Sequence, residues 1–337
     1  MMIPLVLLGL TLTACGGPVA ADYEQVSPDD RIVVKFSHVV AENTPKGQAA
    51  RRFAALVKER TGGKVEVQVF ANSQLYRDGE ELDALRSNSV QFVAPSLSKL
   101  GDIDPLWQVF DLPYLFPDPA APERLIAGST GQKLYGNLRR QGLEPVAFWL
   151  NGFKVITSAR GPVMVPEDVR GLRFRIQPSL VTRDALTALS AEVSIQSFDS
   201  LYGALANGEV DAQENTPTNI LSKRVYEVQP YMTLTNHSYL GYVVITNQKF
   251  WNGLTPEMRE AFREAMSETT QWVRESAELL NEQALNQIRF YGKVDIYQPT
   301  LAQLEAWKSA MNIAYRRAED RLGVETIRTV IEEAGTK

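Results

Sequence analysis

Residues 171–179 read GLRFRIQPS and place two arginines inside a strand-like stretch. Side chains alternate along a strand, so Leu172, Phe174 and Ile176 share one face while Arg173, Arg175 and Gln177 share the other. A guanidinium at the end of such a strand can grip a carboxylate through two parallel N–H···O bonds. Burial trends alone favour a plainer reading of both arginines, a salt bridge to a neighbouring helix or simple exposure, and Arg173 keeps that reading.

Catalytic chemistry has little to work with. The chain holds two histidines, His38 and His237, far apart, and both are expected as hydrogen-bonded packing near strand ends. It lacks HExxH, a cysteine cluster, GxSxG and a phosphate-binding loop, so no cofactor and no metal are expected. Scattered carboxylates are mostly solvated surface, and none is singled out as an acid/base pair. These absences favour a binding protein over an enzyme.

Over 337 residues, 35 Lys and Arg stand against 40 Asp and Glu, a net charge of -5, and no basic run stands out. Nucleic acid is therefore not an expected partner. The length exceeds what one compact core usually serves, so two domains are expected. Residues 1–14 are largely apolar, too short to span a bilayer, and read as a signal peptide. Leu12-Thr13-Ala14-Cys15 is similar to a bacterial lipobox, which makes Cys15 the lipidation site and residues 15–30 the lipidated N-terminus and tether. The alternative is a plain secretory signal cut further on. No Lys or Arg precedes the apolar run, which points to a true start upstream. Cys15 is the only cysteine, so no disulfide is expected.

The elements that must position Arg175 follow an α/β pattern. Ile32 to Phe36 reads as a strand, Pro45 opens a helix ended by Gly62-Gly63, and Lys64 to Phe70 alternates strictly as a second strand. Residues 79–87 read as helix and Val90 to Ala94 as a third strand, the pattern of a largely parallel sheet. Residues 101–119 are rich in proline and aromatics and read as a packed irregular segment. An apolar strand follows at Val146 to Leu150, with Asn151-Gly152 as turn or crossover. A second set then comprises GLRFRIQ, a helix from Ser179 to Leu189, strands at Val193 to Ile195 and Val210 to Ala212, and between them a helix from Phe198 to Ala206. Residues 240–246 make one more strand, with a return to the first sheet open to it. From Pro256 to Phe290 no Gly or Pro interrupts the chain, and a helix of that run is about 50 Å long at 1.5 Å per residue. Two helices broken near Ser267 to Thr270 are the alternative.

Taken in order, FSHVVAENTPKG (36–47), NGFKVITSARGP (151–162), EDVRGLRFRIQPS (167–179), SFDSLYGALANGEVDAQENTP (197–217) and VYEVQPYMTLTNHSYLGY (225–242) resemble a TRAP transporter substrate-binding protein of the DctP family. SHVVAENTPKG, APSLSK (94–99) and TLTNHSYLGY are most similar to its receptors for four-carbon dicarboxylates. The resemblance implies an α/β fold of two lobes, like other periplasmic binding proteins, with a cleft between the lobes and a long helix spanning both. It implies lobe 1 at 31–150, completed by about 240–270, lobe 2 at 151–239, the spanning helix at 256–290, and a C-terminal strand and helices at 291–337.

The resemblance reverses the plain reading of Arg175, on which the family's central carboxylate-binding arginine falls. The basic position of its NG-x-[RK] motif falls on Lys154, the asparagine of its QEN motif on Asn215, and the aromatic of its F-S-E-V-Y motif on Phe198. Ser96 and Lys99 occupy the segment lining the first lobe's side, and Lys46 and Tyr239 are candidates for the second carboxylate. Lys154 as a solvated lysine and Phe198 as core packing are the alternatives. Where the family has D-G-Q-E-N-P and F-S-E-V-Y, this chain has DAQENT and FDSLY, which changes the turn around Asn215. Because a chain of net charge -5 repels a dianion at long range, attraction requires cations gathered in the cleft.

The implied function is an extracytoplasmic receptor, not an enzyme, that captures succinate, fumarate or malate. It delivers the ligand to TRAP membrane permease subunits driven by an ion gradient. Another organic acid such as a sugar acid or keto acid, or a receptor for a signalling partner, is the alternative. The expected location is periplasmic or cell-envelope, lipid-anchored through Cys15, and the expected state is a monomer.

Overall fold

The computed structural model describes residues 31–336; the expected signal peptide, tether and Cys15 lie outside the described residues. The first lobe begins β1 (Ile32–Ser37), α1 (Pro45–Arg60), β2 (Val65–Phe70), α2 (Glu81–Arg86) and β3 (Phe92–Val93). Thr44 caps α1 by accepting from the N–H of Gly47, and Pro45 fills its first turn, where no amide partner is needed. Two 3₁₀ turns, Leu97–Asp102 and Pro105–Asp111, carry the aromatic segment. Next come α3 (Ala121–Ala127), α4 (Ser129–Arg140) and β4 (Leu143–Phe153).

The chain then enters the second lobe through β5 (Val155–Ser158), β6 (Arg173–Ile176), α5 (Leu180–Ala188), β7 (Glu192–Ile195), α6 (Leu201–Ala206), β8 (Ala212–Asn215), α7 (Pro217–Ser222) and β9 (Tyr231–Thr233). It returns through β10 (Tyr239–Asn247) to α8 (Gln248–Gly253), and α9 (Pro256–Tyr291) crosses back. β11 (Asp295–Tyr297), α10 (Leu301–Met311), α11 (Ile313–Leu322) and α12 (Val324–Ala334) complete it.

The first sheet has the order β2-β1-β3-β10-β4 and the second β11-β9-β5-β8-β6-β7. β1 runs parallel to β2 and β3, as helical crossovers require, whereas β10 is antiparallel to both β3 and β4. Residues 240–246 thus do return to the first sheet. In the second sheet β6 is parallel to β7 and β8, while β5 is antiparallel to β8 and β9. Two strand pairs, β4–β5 and β9–β10, therefore carry the chain between lobes.

The third crossing is α9, one unbroken helix rather than two. Its 36 residues span about 54 Å. Thr255 caps its start and Gly292, at φ 63°, ends it in the left-handed region. Phe262, Ala265 and Met266 on this helix pack in the first and larger hydrophobic core, which runs from the first lobe to Phe174 and Ile176 of β6, and Ile288 packs in the second, smaller core with Phe198, Leu201 and Met232. Phe36, Phe53, Phe92, Trp149 and Phe262 form the aromatic centre of the first core, with Phe92 and Phe262 stacked at 5.7 Å. Glu268 on α9 pairs with Arg52 and Arg60 of α1, tying helix to lobe.

Several element bounds differ from the sequence reading: β3 is shorter than Val90 to Ala94, and β4 starts at Leu143 and runs through Asn151-Gly152 to Phe153. The short strand expected at Val210 to Ala212 lies at Ala212–Asn215, because Gln213, Glu214 and Asn215 are buried and polar and hydrophobicity does not mark them. The helix expected from Phe198 begins at Leu201, with Phe198 to Ser200 forming a turn ahead of it.

Candidate functional site

β6 is where the two faces of one strand part company. Phe174 and Ile176 are fully buried in the core. On the opposite face Arg173 places Nε at 3.0 Å and Nη2 at 2.8 Å from the Asp211 carboxylate, so its plain reading is met, with a partner beside β8 rather than on a helix. Arg175 is 0% exposed. Its Nε donates to the carbonyl of Gln196 at 3.0 Å, while Nη1 and Nη2 have no hydrogen-bond partner among the described residues. Burial pushes the guanidinium down to about 10, against the favourable fields of Glu214 and Asp199, so it stays charged at neutral pH. Buried donors left unmet are costly, and two parallel N–H groups fit an anionic oxygen pair.

Between the lobes lies a small, half-open pocket. Lys46, Asp78, Ser96, Lys99 and Tyr242 line it from the first lobe, and Gln177, Phe198 and Asn219 from the second. Ser96 Oγ donates to Gln177 Oε1 across the gap, and Gln108 Oε1 accepts the N–H of Leu180 at 3.0 Å. The lobes are thus in contact across the pocket.

Lys46 Nζ donates to Ala94 O at 2.9 Å and sits 4.0 Å from the centre of the Tyr242 ring, a cation–π contact. Burial lowers the Lys46 ammonium and raises its buried neighbour Glu81, whose two oxygens have no hydrogen-bond partner among the described residues. Lys99 pairs with Asp78. Burial, then the repulsion of Lys46 and Arg175, pushes Lys99 well below the ordinary lysine range. Mutual repulsion of these cations is what an anion between them would relieve.

Of the residues singled out in the sequence, the structure brings Lys46, Ser96, Lys99 and Phe198 to this pocket, whereas Arg175 does not line it and reaches it only through its field on Lys99. Phe198 does both things considered for it, packing in the second core and facing the gap. Asn215 lies just behind. Its Oδ1 accepts from Asn219 Nδ2 at 2.8 Å and from the N–H of Thr216 at 3.0 Å, and its Nδ2 has no partner among the described residues.

Lys154 is neither solvated nor at the cavity wall. It is 1% exposed, and its ammonium lies 3.2 Å from Asp111 Oδ1 and 3.0 Å from Glu214 Oε1. Burial works against that charge, and Glu214 and Asp111 outweigh it. Tyr239 packs edge-on against Phe153 at 5.1 Å and Phe116 at 6.0 Å instead. Tyr239 and Tyr242 lie three residues apart on β10 and so point to opposite faces; the register shift between Leu240 and Gly241 skips Asn151 of β4 and leaves that alternation intact, and Tyr242 takes the pocket side.

Gln177, Asn219, Tyr242 and Asp78 were not singled out. Gln177 shares the alternating face of Arg175, and Asn219 stands four residues after Asn215, so both carried a signal. His237 is hydrogen-bonded as expected, with Nδ1 2.7 Å from Thr235 Oγ1 and Nε2 3.2 Å from Glu214 Oε2. His38 is not: neither ring nitrogen has a hydrogen-bond partner of good geometry among the described residues, and burial with Lys46 nearby pushes it to about 3 against the nearby Val40 backbone, keeping it neutral.

Comparison with known proteins agrees with this architecture. The chain is 45% identical over 314 residues to the C4-dicarboxylate-binding protein DctB of Bacillus subtilis, covering 93% of this chain and 90% of that relative. A TRAP periplasmic solute-binding protein of Sulfurospirillum deleyianum, solved with bound succinate, superposes with a TM-score of 0.87 at 38% identity, covering 89% of this chain and 98% of that one. One from Pseudomonas aeruginosa, solved with L-malate, has a TM-score of 0.82 at 38% identity, covering 85% and 99%. The model of the family described as bacterial extracellular solute-binding protein, family 7, matches residues 36–321. With that match across both lobes and the crossing helix, the chain belongs to the DctP family of extracellular solute-binding proteins.

Proposed function

We propose that this protein binds a four-carbon dicarboxylate, succinate, fumarate or malate, in the cleft between its lobes and delivers it to the membrane subunits of a TRAP-type secondary transporter. The observation that carries the reading is Arg175: a fully buried guanidinium with two nitrogens that have no hydrogen-bond partner among the described residues, close enough to repel Lys99 of the pocket wall. One ligand carboxylate fits that pair, and Lys46, held between Ala94 O and Tyr242, faces the gap for the second. Ser96, Lys99 and Phe198 act as further ligand-side groups in this reading. Asn215 acts through Asn219, and Lys154 acts by fixing Glu214 rather than by touching ligand. Tyr239 is assigned to packing, and Tyr242 replaces it.

The names and ligands of the relatives that are 38% identical or more support a dicarboxylate over a sugar acid. A charge-assisted bond contributes about 1.5 to 3 kcal/mol, so a two-pronged clamp plus two or three further bonds reaches about 8 kcal/mol after association costs, a micromolar Kd. The two lobes of one chain enclose the whole cleft, which supports a monomeric receptor. Cys15 supplies a lipid anchor to the cell envelope in this reading.

The test is a thermal-shift series with succinate, fumarate, malate, galacturonate, pyruvate and a neutral sugar. Ligands that bind the folded state raise the melting temperature. Shifts with the four-carbon diacids are expected; shifts confined to galacturonate or the neutral sugar reject the ligand class. Cys15→Ser is expected to move the protein from the membrane to the soluble fraction, and an unchanged distribution removes the anchor.

A further inference from the structure

Asp78 lies in the loop between β2 and α2, outside every motif considered above. Its side chain is 3% exposed, and Lys99 of the same lobe pairs with its carboxylate. Two more contacts reach it from the second lobe. The backbone N–H of Phe198 donates to Asp78 Oδ2 at 2.7 Å, and the N–H of Asp78 donates to Asp199 Oδ1 at 3.3 Å.

The loop is built to hold this carboxylate out. Asn72 and Ser73 take φ of 52° and 59°, and their N–H groups donate to Val40 O at 3.0 Å and His38 O at 3.2 Å. Gly79, next to Asp78, has φ of 104°, a conformation that suits glycine. A buried carboxylate is costly unless its oxygens are paired. Lys99 belongs to the same lobe and can pair with it wherever the lobes stand, but the Phe198 N–H reaches it only when they meet. A contact made in one of two conformations shifts the equilibrium toward that conformation.

We propose that Asp78 is a positioning residue for ligand capture: its bond to the Phe198 backbone latches the second lobe onto the first and slows ligand release. The effect on release rests on the cleft reading given above; the effect on closure does not.

The experiment uses the full chain with Cys15→Ser and two labelled cysteines, Ser89→Cys on lobe 1 and Ala206→Cys on lobe 2, both exposed positions. Label distances are measured without and with succinate, and stopped-flow mixing gives the association and dissociation rates. Asp78→Ala is expected to add a longer-distance population without succinate, and to speed succinate dissociation about tenfold with association changed by no more than about twofold. Asp78→Asn, which keeps size and one acceptor oxygen, is expected to shift both in the same direction by less. Distances equal to the parent in both variants overturn the latch, as does a loss of affinity residing wholly in the association rate. Failure of Asp78→Asn to fold also overturns it, by assigning the residue to the lobe itself. If succinate leaves the parent unchanged, the ligand reading fails and the distances without ligand still decide the latch.

Discussion

Replacing Arg175 by methionine separates what the guanidinium does for the fold from what it does for a ligand. The side chain is fully buried with one nitrogen bonded and two unmet. Exchanging such a buried charge for an apolar group of similar length leaves stability unchanged or raises it by about 1 to 4 kcal/mol. At about 2 to 4 °C per kcal/mol, the melting temperature without ligand holds or rises by several degrees. Binding moves the other way. A ligand carboxylate left in the cleft without its cation costs about 3 to 5 kcal/mol, which raises Kd by about two to three and a half powers of ten. Succinate at about 1,000 times a micromolar Kd stabilises the parent by about 4 kcal/mol, and the same concentration stabilises the Arg175→Met protein by about 1 kcal/mol at most. Differential scanning fluorimetry with and without succinate reads both numbers. A retained succinate shift refutes the clamp. A large fall in melting temperature without ligand refutes it too, because the guanidinium would then be a structural group.

Acid should weaken the fold in two stages. His38 is held at about 3 while the unfolded chain takes up its proton near 6.5, so stability falls between those values. Burial raises the Glu214 carboxyl, but Lys154 and His237 outweigh it and hold it at about 2, so stability present above about 4.5 is lost toward pH 2. Unfolding free energy measured against pH should lose its slope between about 6.5 and 4.5 in His38→Gln and its lower slope in Glu214→Gln; unchanged slopes reject these assignments. Gly152→Ala, at the end of the crossing strand β4, sets a methyl 2.8 Å from Asn281 Nδ2, which is already bonded to the carbonyls of Asn151 and Ala277. It is expected to cost about 1 to 3 kcal/mol, read as a lower melting temperature, and an unchanged one shows that α9 yields freely there.

Alternation in GLRFRIQ was enough to separate a core face from an arginine face, because side-chain direction along a strand is local. The same reasoning placed α9, where 36 residues carry no internal breaker and stop at a glycine. It failed at β8, since Gln213, Glu214 and Asn215 look like surface and are buried only because two other strands and a lysine enclose them. Neither could the sequence choose between Tyr239 and Tyr242, a choice made by which face of β10 the second lobe meets.

What the chain determined by itself was therefore the order of its elements, the two α/β sets and the motifs that resemble one family. These depend on neighbours a few residues apart. Whether a cation is free or occupied was decided by folding: Arg173 and Lys154 meet carboxylates from distant segments, while Arg175 is buried with two nitrogens unmet among the described residues. Partners dozens of residues apart, unlike Asn215 and Asn219, are set by how the sheets and lobes come together, and no local spacing encodes them.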